Sequence, residues 1–207
     1  MKVKEFKVEQ CERNDIKDFI EQWHYSKSIN GLRIDYCFKL LDGETIIGAM
    51  IYGGVAMANQ WKKYAEKESE LTELRRLCCI DETPKNTESY FIAKTIKWIK
   101  NNTEIKRILS YADLTYGHKG IIYQATHFKL VGQTAKGRII MYNDKKYHDK
   151  TIRTMYKGKL KPYAQKVKDA LDSGEAFYQN TKQKNIYVYD IKRKLSYKSK
   201  EEKNDTI

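Results

Sequence analysis

The sequence predicts an α+β fold: a mixed central sheet with helices on its faces. Three observations carry this expectation. Short β-type runs alternate irregularly with helical-period runs, in the order β-α-β-β-β-α-β-α-β-α-β. Apolar residues make up 41% of the 207 residues, enough to build a sizeable core. Aromatic residues make up 12%, and 16 of them are tyrosines, whose rings pack while their hydroxyls reach polar partners.

Each element has its own signal. "VKEFKVEQC" alternates as a first strand. "NDIKDFIEQWHY" has Asn14 as its candidate N-cap and sets Ile16, Phe19, Ile20 and Trp23 on one helical face. "IDYCFKLLDGETIIGAMIYGG" reads as two strands joined at Asp42-Gly43. "ELTELRRLCCI" is a further strand, and its alternation directs Arg75 and Arg76 to opposite faces. "NTESYFIAKTIKWIKN" is a helix with Ile92, Ile96 and Ile99 on its apolar face. "IKRILSYAD" is a strand, "GHKGIIYQATHF" a short helix, and "KLVGQTAKGRIIMYN" a strand or hairpin. "LKPYAQKVKDALDSG" is a late helix ended by Gly174, and "KNIYVYDI" a last strand. One domain over residues 1–192 is expected, followed by a basic mobile tail over 193–207, where charges outnumber large apolar residues.

The net charge of +13 favours a polyanionic partner, nucleic acid or an acidic membrane surface. Cys11, Cys37, Cys78 and Cys79 contain no CxxC spacing, which excludes a zinc knuckle or a redox pair of that type. Adjacent Cys78 and Cys79 point to opposite faces of a strand and read as small hydrophobes, and the expected setting is reducing and intracellular. No apolar run reaches the ~20 residues of a membrane span, and no secretion signal follows Met1, so the expected setting is the cytoplasm.

The run "LRRLCCIDETPKNTESYFIAKTIKWI" places a strand, a loop and a helix N-terminus in succession. First-turn N–H groups lack intrahelical partners and, with the helix dipole, favour an anion. Asn86, Thr87 and Ser89 supply side-chain donors there, or simply cap the helix. This arrangement resembles the GNAT acyltransferase fold, in which the fourth and fifth strands splay apart and that helix N-terminus holds the coenzyme A pyrophosphate. The usual signature of that fold is glutamine or arginine followed by x-x-G-x-G or x-x-G-x-A. "ETPKNTESYF" stands in its place without a glycine, which argues against ordinary acetyl-CoA use.

Four segments, "HYSKS", "ELRRLCCID", "PKNTESYF" and "YADLTYGHKGIIYQATHF", together resemble the Mom-like phage DNA-modification proteins, which are divergent GNAT-fold enzymes. The resemblance implies transfer of a carbamoylmethyl (glycinamide-type) group to the exocyclic N6 of adenine, protecting phage DNA from host restriction in the host cytoplasm. It places functional residues at His24, Tyr25, Arg76, Ser89, Asp113 and Tyr123. The donor it implies is unidentified, acyl-CoA-like or glycine-derived, and it raises iron as a cofactor.

Chemistry agrees with several of these placements. The N6 lone pair is delocalised into the ring, so a base must take its proton as it attacks, and Asp113 ends a central strand. Such proton transfer is worth about 10²–10⁴ in rate. Tyr123 is a candidate acid or stacking group, and Arg76 offers a planar fork for a carboxylate or phosphate. Ser89, Asn86 and Thr87, with Arg76, form the candidate donor-binding turn. Each has a plainer reading: Asp113 as a cap, His24 as a helix C-terminal histidine, Tyr123 as core. His24, Asp113 and His118 make a metal set only if the fold converges them.

A base within a duplex is inaccessible, so the expected partner is double-stranded DNA with the adenine flipped out. "KGRIIMYNDKKYHDKTIRTMYKGKLKPYAQKVK" interleaves basic residues with tyrosines, and Lys145, Lys146, Tyr147, Arg153 and Lys157 are the candidate DNA contacts. The alternative to this whole reading is a conventional acyl-CoA-dependent N-acetyltransferase acting on a protein, RNA or small amine.

Overall fold

The computed structural model describes residues 2–57 and 59–193; most of the expected tail lies outside the described residues. The chain divides into two compact units. The first takes in residues up to Leu109 and those from Tyr189; the second is Ser110–Val188.

The first unit begins with β1 (Lys7–Cys11), α1 (Arg13–Trp23), β2 (Tyr36–Asp42), β3 (Thr45–Gly53), β4 (Leu71–Cys79) and α2 (Thr87–Asn102). Strands β1 to β4 pair successively and antiparallel. The opening of β5 (Arg107–Asp113) lies beside β4. Period-two alternation separates the two faces. Cys37, Ala49 and Ile51 join Ile16 and Ile20 of α1 in one buried cluster. Phe38 and Tyr52 point the other way: the Tyr52 hydroxyl lies 2.8 Å from Thr95 Oγ1 of α2, and Phe38 meets Trp98 edge-on. This sheet is thus covered on both sides, as the order of strands and helices in the sequence predicted.

Two local details depart from the expected elements. The N-cap of α1 is Glu12, not Asn14, and the Glu12 backbone N–H donates to Asp15 Oδ2 at 2.9 Å. In β4 the pairing jumps from Ile51↔Arg76 to Tyr52↔Leu74, so Arg75 is the extra residue of a β-bulge.

The second unit starts in β5, whose Asp113 caps a 3-10 turn at Leu114–Tyr116. It continues through α3 (Ile121–Ala125), β6 (Lys129–Gln133), β7 (Arg138–Tyr142), β8 (Lys145–His148), β9 (Met155–Tyr156), β10 (Lys159–Leu160), α4 (Pro162–Ser173) and β11 (Phe177–Asn180). β12 (Lys184–Asp190) closes the order and pairs antiparallel with β6. A separate sheet runs β11-β7-β8, and α4 packs on it through Ile140, Val167, Ala170 and Ala176. Pro162 opens α4, and Gly174, at φ +84°, ends it as the sequence predicted.

Strands β8 to β11 escaped the sequence reading. They are two to four residues long and mostly exposed, too short for alternation to register.

Candidate functional site

The candidate residues fall on both units. In the first, His24 follows α1 with an extended backbone and is buried, while Tyr25 is exposed. The His24 Nδ1 accepts the Ser26 backbone N–H at 3.0 Å and lies 2.8 Å from Ser26 Oγ. That acceptor role puts the proton of a neutral ring on Nε2. The His24 and Tyr25 rings lie 4.2 Å apart, centroid to centroid.

Arg76 anchors to the same loop. Its Nε donates to the Ser28 carbonyl at 3.2 Å, and one Nη donates to the Arg75 carbonyl at 2.8 Å. Burial pushes its pKa below the ordinary arginine value, and Tyr25 pulls in the opposite direction. Arginine remains charged under both influences. His24, Tyr25 and Arg76, separated by up to 52 residues in sequence, therefore share one polar cluster held by the Ser26–Ser28 loop. The neighbouring Arg75 pairs with buried Glu73 at 3.0 Å.

At the start of α2, neither hydroxyl caps the helix in the expected manner. Thr87 Oγ1 donates to the Pro84 carbonyl at 2.6 Å, and Ser89 Oγ donates to the Asn86 carbonyl at 3.0 Å. Asn86 is left-handed, at φ 73°, and its side chain makes no cap bond. Asn86 therefore leaves the first-turn amides of α2 without a side-chain cap, and the Thr87 N–H donates instead to the Pro84 carbonyl at 3.2 Å.

In the second unit, Asp113 is 7% exposed. Its Oδ1 accepts the Thr115 backbone N–H at 2.9 Å, and its Oδ2 lies 2.9 Å from Lys184 Nζ. Burial alone would raise its pKa, but the hydrogen bonds from Lys184 and Thr115 outweigh it and hold the carboxyl below its ordinary range. The cap foreseen for a helix near Gly117 is thus realised one turn earlier. Lys184, 71 positions away in sequence, carried no local signal that would have found it.

Tyr123 is buried, with ring centroids 5.5 Å from Phe128 and 5.3 Å from Tyr187. The Tyr187 hydroxyl donates to the Lys119 carbonyl at 2.9 Å and lies 3.0 Å from Gln124 Nε2. Gly120, at φ +81°, sits against that ring: a Cβ there would come within 2.3 Å of it. His118 lies beside Tyr116, centroids 6.4 Å apart.

Iron fits these residues poorly. A metal at Asp113 would displace a lysine ammonium and a backbone N–H, and His24 Nδ1 is already an acceptor for Ser26. No group of three His, Cys, Asp or Glu able to hold a metal occurs among the described residues.

The candidate DNA contacts divide by geometry. Tyr147 lies opposite buried Ile140 and packs on the cluster under α4, whereas Lys146, one residue away, takes the opposite face. Lys145 and Lys157 are exposed. Arg153 pairs with Asp149, which also holds Arg138 Nε at 3.2 Å.

Solved structures define the class by fold. Arabidopsis thaliana NAA60 in complex with acetyl-CoA superimposes with a TM-score of 0.53 at 12% identity, over 90% of this chain and 98% of that one. An acetyltransferase of the GNAT family from Streptococcus pneumoniae does so at 0.51 and 9%, over 91% and 100%. The ribosomal-protein-S18-alanine N-acetyltransferase of Escherichia coli gives 0.51 and 9%, over 93% and 97%. At such identities the likeness establishes a GNAT-like fold. Within that class, the model of the Mom protein family matches residues 5–204, and the chain belongs to that family. The methylcarbamoylase mom of Escherichia phage Mu is 24% identical over 159 residues, 75% of this chain and 65% of the relative. The chain thus spans slightly under two thirds of that relative's length. No helix among the described residues is long and apolar enough to cross a membrane.

Proposed function

We propose that this protein is a transferase that modifies adenine in double-stranded DNA at the exocyclic N6. The group added is of the carbamoylmethyl type, and the outcome is protection of phage DNA from host restriction. The observation that carries this reading is the family match over almost the whole chain, supported by the curated relative's name, a methylcarbamoylase. The basic balance of +13 suits a DNA substrate. The setting proposed is the cytoplasm of the infected cell.

Asp113 supplies a fixed carboxylate at the end of β5. N6 becomes positively charged as it attacks, and an ionised carboxylate accepting its N–H stabilises that charge. The depressed pKa makes Asp113 a weak base. Its role is therefore to receive the N6 proton late, as the bond from N6 to the transferred carbon forms and that carbon's bond to the rest of the donor breaks, its electron pair leaving with the donor remnant. Arg76 and the start of α2, with Asn86, Thr87 and Ser89, hold the anionic part of the donor, acyl-CoA-like or glycine-derived. His24 and Tyr25 set the loop that anchors Arg76. Buried Tyr123 supports the ring of Tyr187 beneath α3, and no step of the reaction is assigned to it.

The test is restriction sensitivity. Plasmid prepared from cells expressing the chain resists endonucleases whose sites contain adenine, and stays sensitive to those whose sites lack it. Equal cleavage of plasmid from expressing and control cells contradicts the reading.

A further inference from the structure

The second unit carries an exposed feature that the chemistry above leaves unused. Strands β9 and β10 form a two-stranded hairpin, with Tyr156 paired to Lys159 and Met155 to Leu160. Its turn is Lys157-Gly158, with φ of 51° and 76°. Two successive positive φ angles define a tight turn whose twist matches the strands. Met155 is 65% exposed and Tyr156 63%. A two-stranded hairpin has no core of its own, so these side chains contribute little to folding.

The charge around them is one-sided. From Lys150 to Lys168 the sequence holds seven Lys or Arg and no Asp or Glu. The Tyr156 ring has Lys157 Nζ 5.6 Å and Lys161 Nζ 6.0 Å from its centroid, and Lys159 shares its face of the hairpin. The acid just upstream, Asp149, is already taken by Arg138 and Arg153. Like charges gathered around an exposed aromatic repel one another, and a polyanion relieves that repulsion. A polyanion that also offers flat π-faces is a nucleic acid, not a lipid headgroup.

We propose that the β9–β10 hairpin is a DNA wedge. Tyr156 enters the base stack at the position vacated by the extruded adenine, and Lys157, Lys159 and Lys161 hold the flanking phosphates. This rests on the adenine reading, since a wedge is needed only by an enzyme that must open a duplex. A stacked aromatic is worth about 1–3 kcal/mol, which offsets much of the cost of unstacking one base.

The experiment uses the full chain and a linear duplex, with permanganate reactivity of thymines as the readout of unstacking and nucleoside analysis as the readout of modification. Wild type makes thymines opposite target adenines reactive. Tyr156→Ala reduces both readouts about tenfold, Tyr156→Trp keeps them, and the salt dependence of binding is unchanged in each. Lys159→Ser with Lys161→Ser lowers the slope of log affinity against log salt by about 1.8. A Tyr156→Ala protein that unstacks and modifies like wild type overturns the wedge and leaves the adenine reading standing. A wild type that neither unstacks nor modifies overturns both. Retention on phosphatidylserine vesicles without retention on duplex overturns the choice of partner.

Discussion

The ammonium of Lys184 lies 2.9 Å from Oδ2 of Asp113, joining the start of β12 to the end of β5. Asp113 is ionised in the folded protein at a pH where a solvated aspartate would already be protonated. A carboxyl held below its unfolded value of 3.8 stabilises the fold above that value, and the gain is lost as pH falls through the folded pKa. Asp113→Asn should therefore cost about 1–3 kcal/mol at neutral pH. It should also lose the part of the acid-induced decline that wild type shows below about pH 4. Urea melts at a series of pH values measure this; parallel profiles for the two proteins contradict it. Lys184→Met should shrink that decline, because without the ammonium the folded carboxyl is no longer held as far below its unfolded value.

Gly120 packs its bare α-carbon against the Tyr187 ring at a positive φ. Gly120→Ala meets both a steric clash and a conformation that L-residues resist. The expected loss is about 2–4 kcal/mol, read as a lower thermal midpoint. Gly120→Ala with Tyr187→Leu should recover part of it, because the colliding ring is gone. A midpoint for the single variant equal to wild type would mean that the close approach is not present.

Arg76 ties β4 to the loop that positions His24 through Nε, which donates to the Ser28 carbonyl, while one Nη holds the Arg75 carbonyl within the strand. Lysine has a single nitrogen and cannot serve both. Arg76→Lys should retain the charge, lose about 1.5–3 kcal/mol of stability, and loosen the loop. Hydrogen exchange at Ser26 and Ser28 would quicken. Protection there unchanged by the substitution would separate Arg76 from the loop's order.

All four cysteines are free thiols. Burial pushes Cys11 and Cys78 up to about 12 and Cys37 up to about 11, and raises Cys79 as well. Thiolate is the reactive form, so the folded protein should react with a disulfide reagent at pH 8 far more slowly than the unfolded chain. A thiol in the folded protein titrating as fast as free cysteine would contradict the burial.

Much of this fold is legible because it repeats a local rule. The turn at Asp42-Gly43 marked β2 and β3 as a strand pair, and the spacing of Ile92, Ile96 and Ile99 named the buried side of α2. Asp113 was legible as a strand-end carboxylate, but Lys184 was not, since no local pattern links partners so far apart in the chain. The bulge at Arg75 was equally hidden, because one inserted residue leaves the composition of a strand unchanged. The basic, tyrosine-rich run looks uniform in sequence, yet strand pairing turns Tyr142 and Tyr147 toward the cluster under α4 and Lys146 to the other face.

Nucleoside mass spectrometry of DNA from cells expressing the wild-type chain and its Asp113→Asn variant addresses the central claim most directly. The account predicts a heavier deoxyadenosine, with the added group on N6, in the wild-type sample and its absence from the variant sample. Deoxyadenosine unchanged in the wild-type sample, or an adduct carried by a different base, would contradict it.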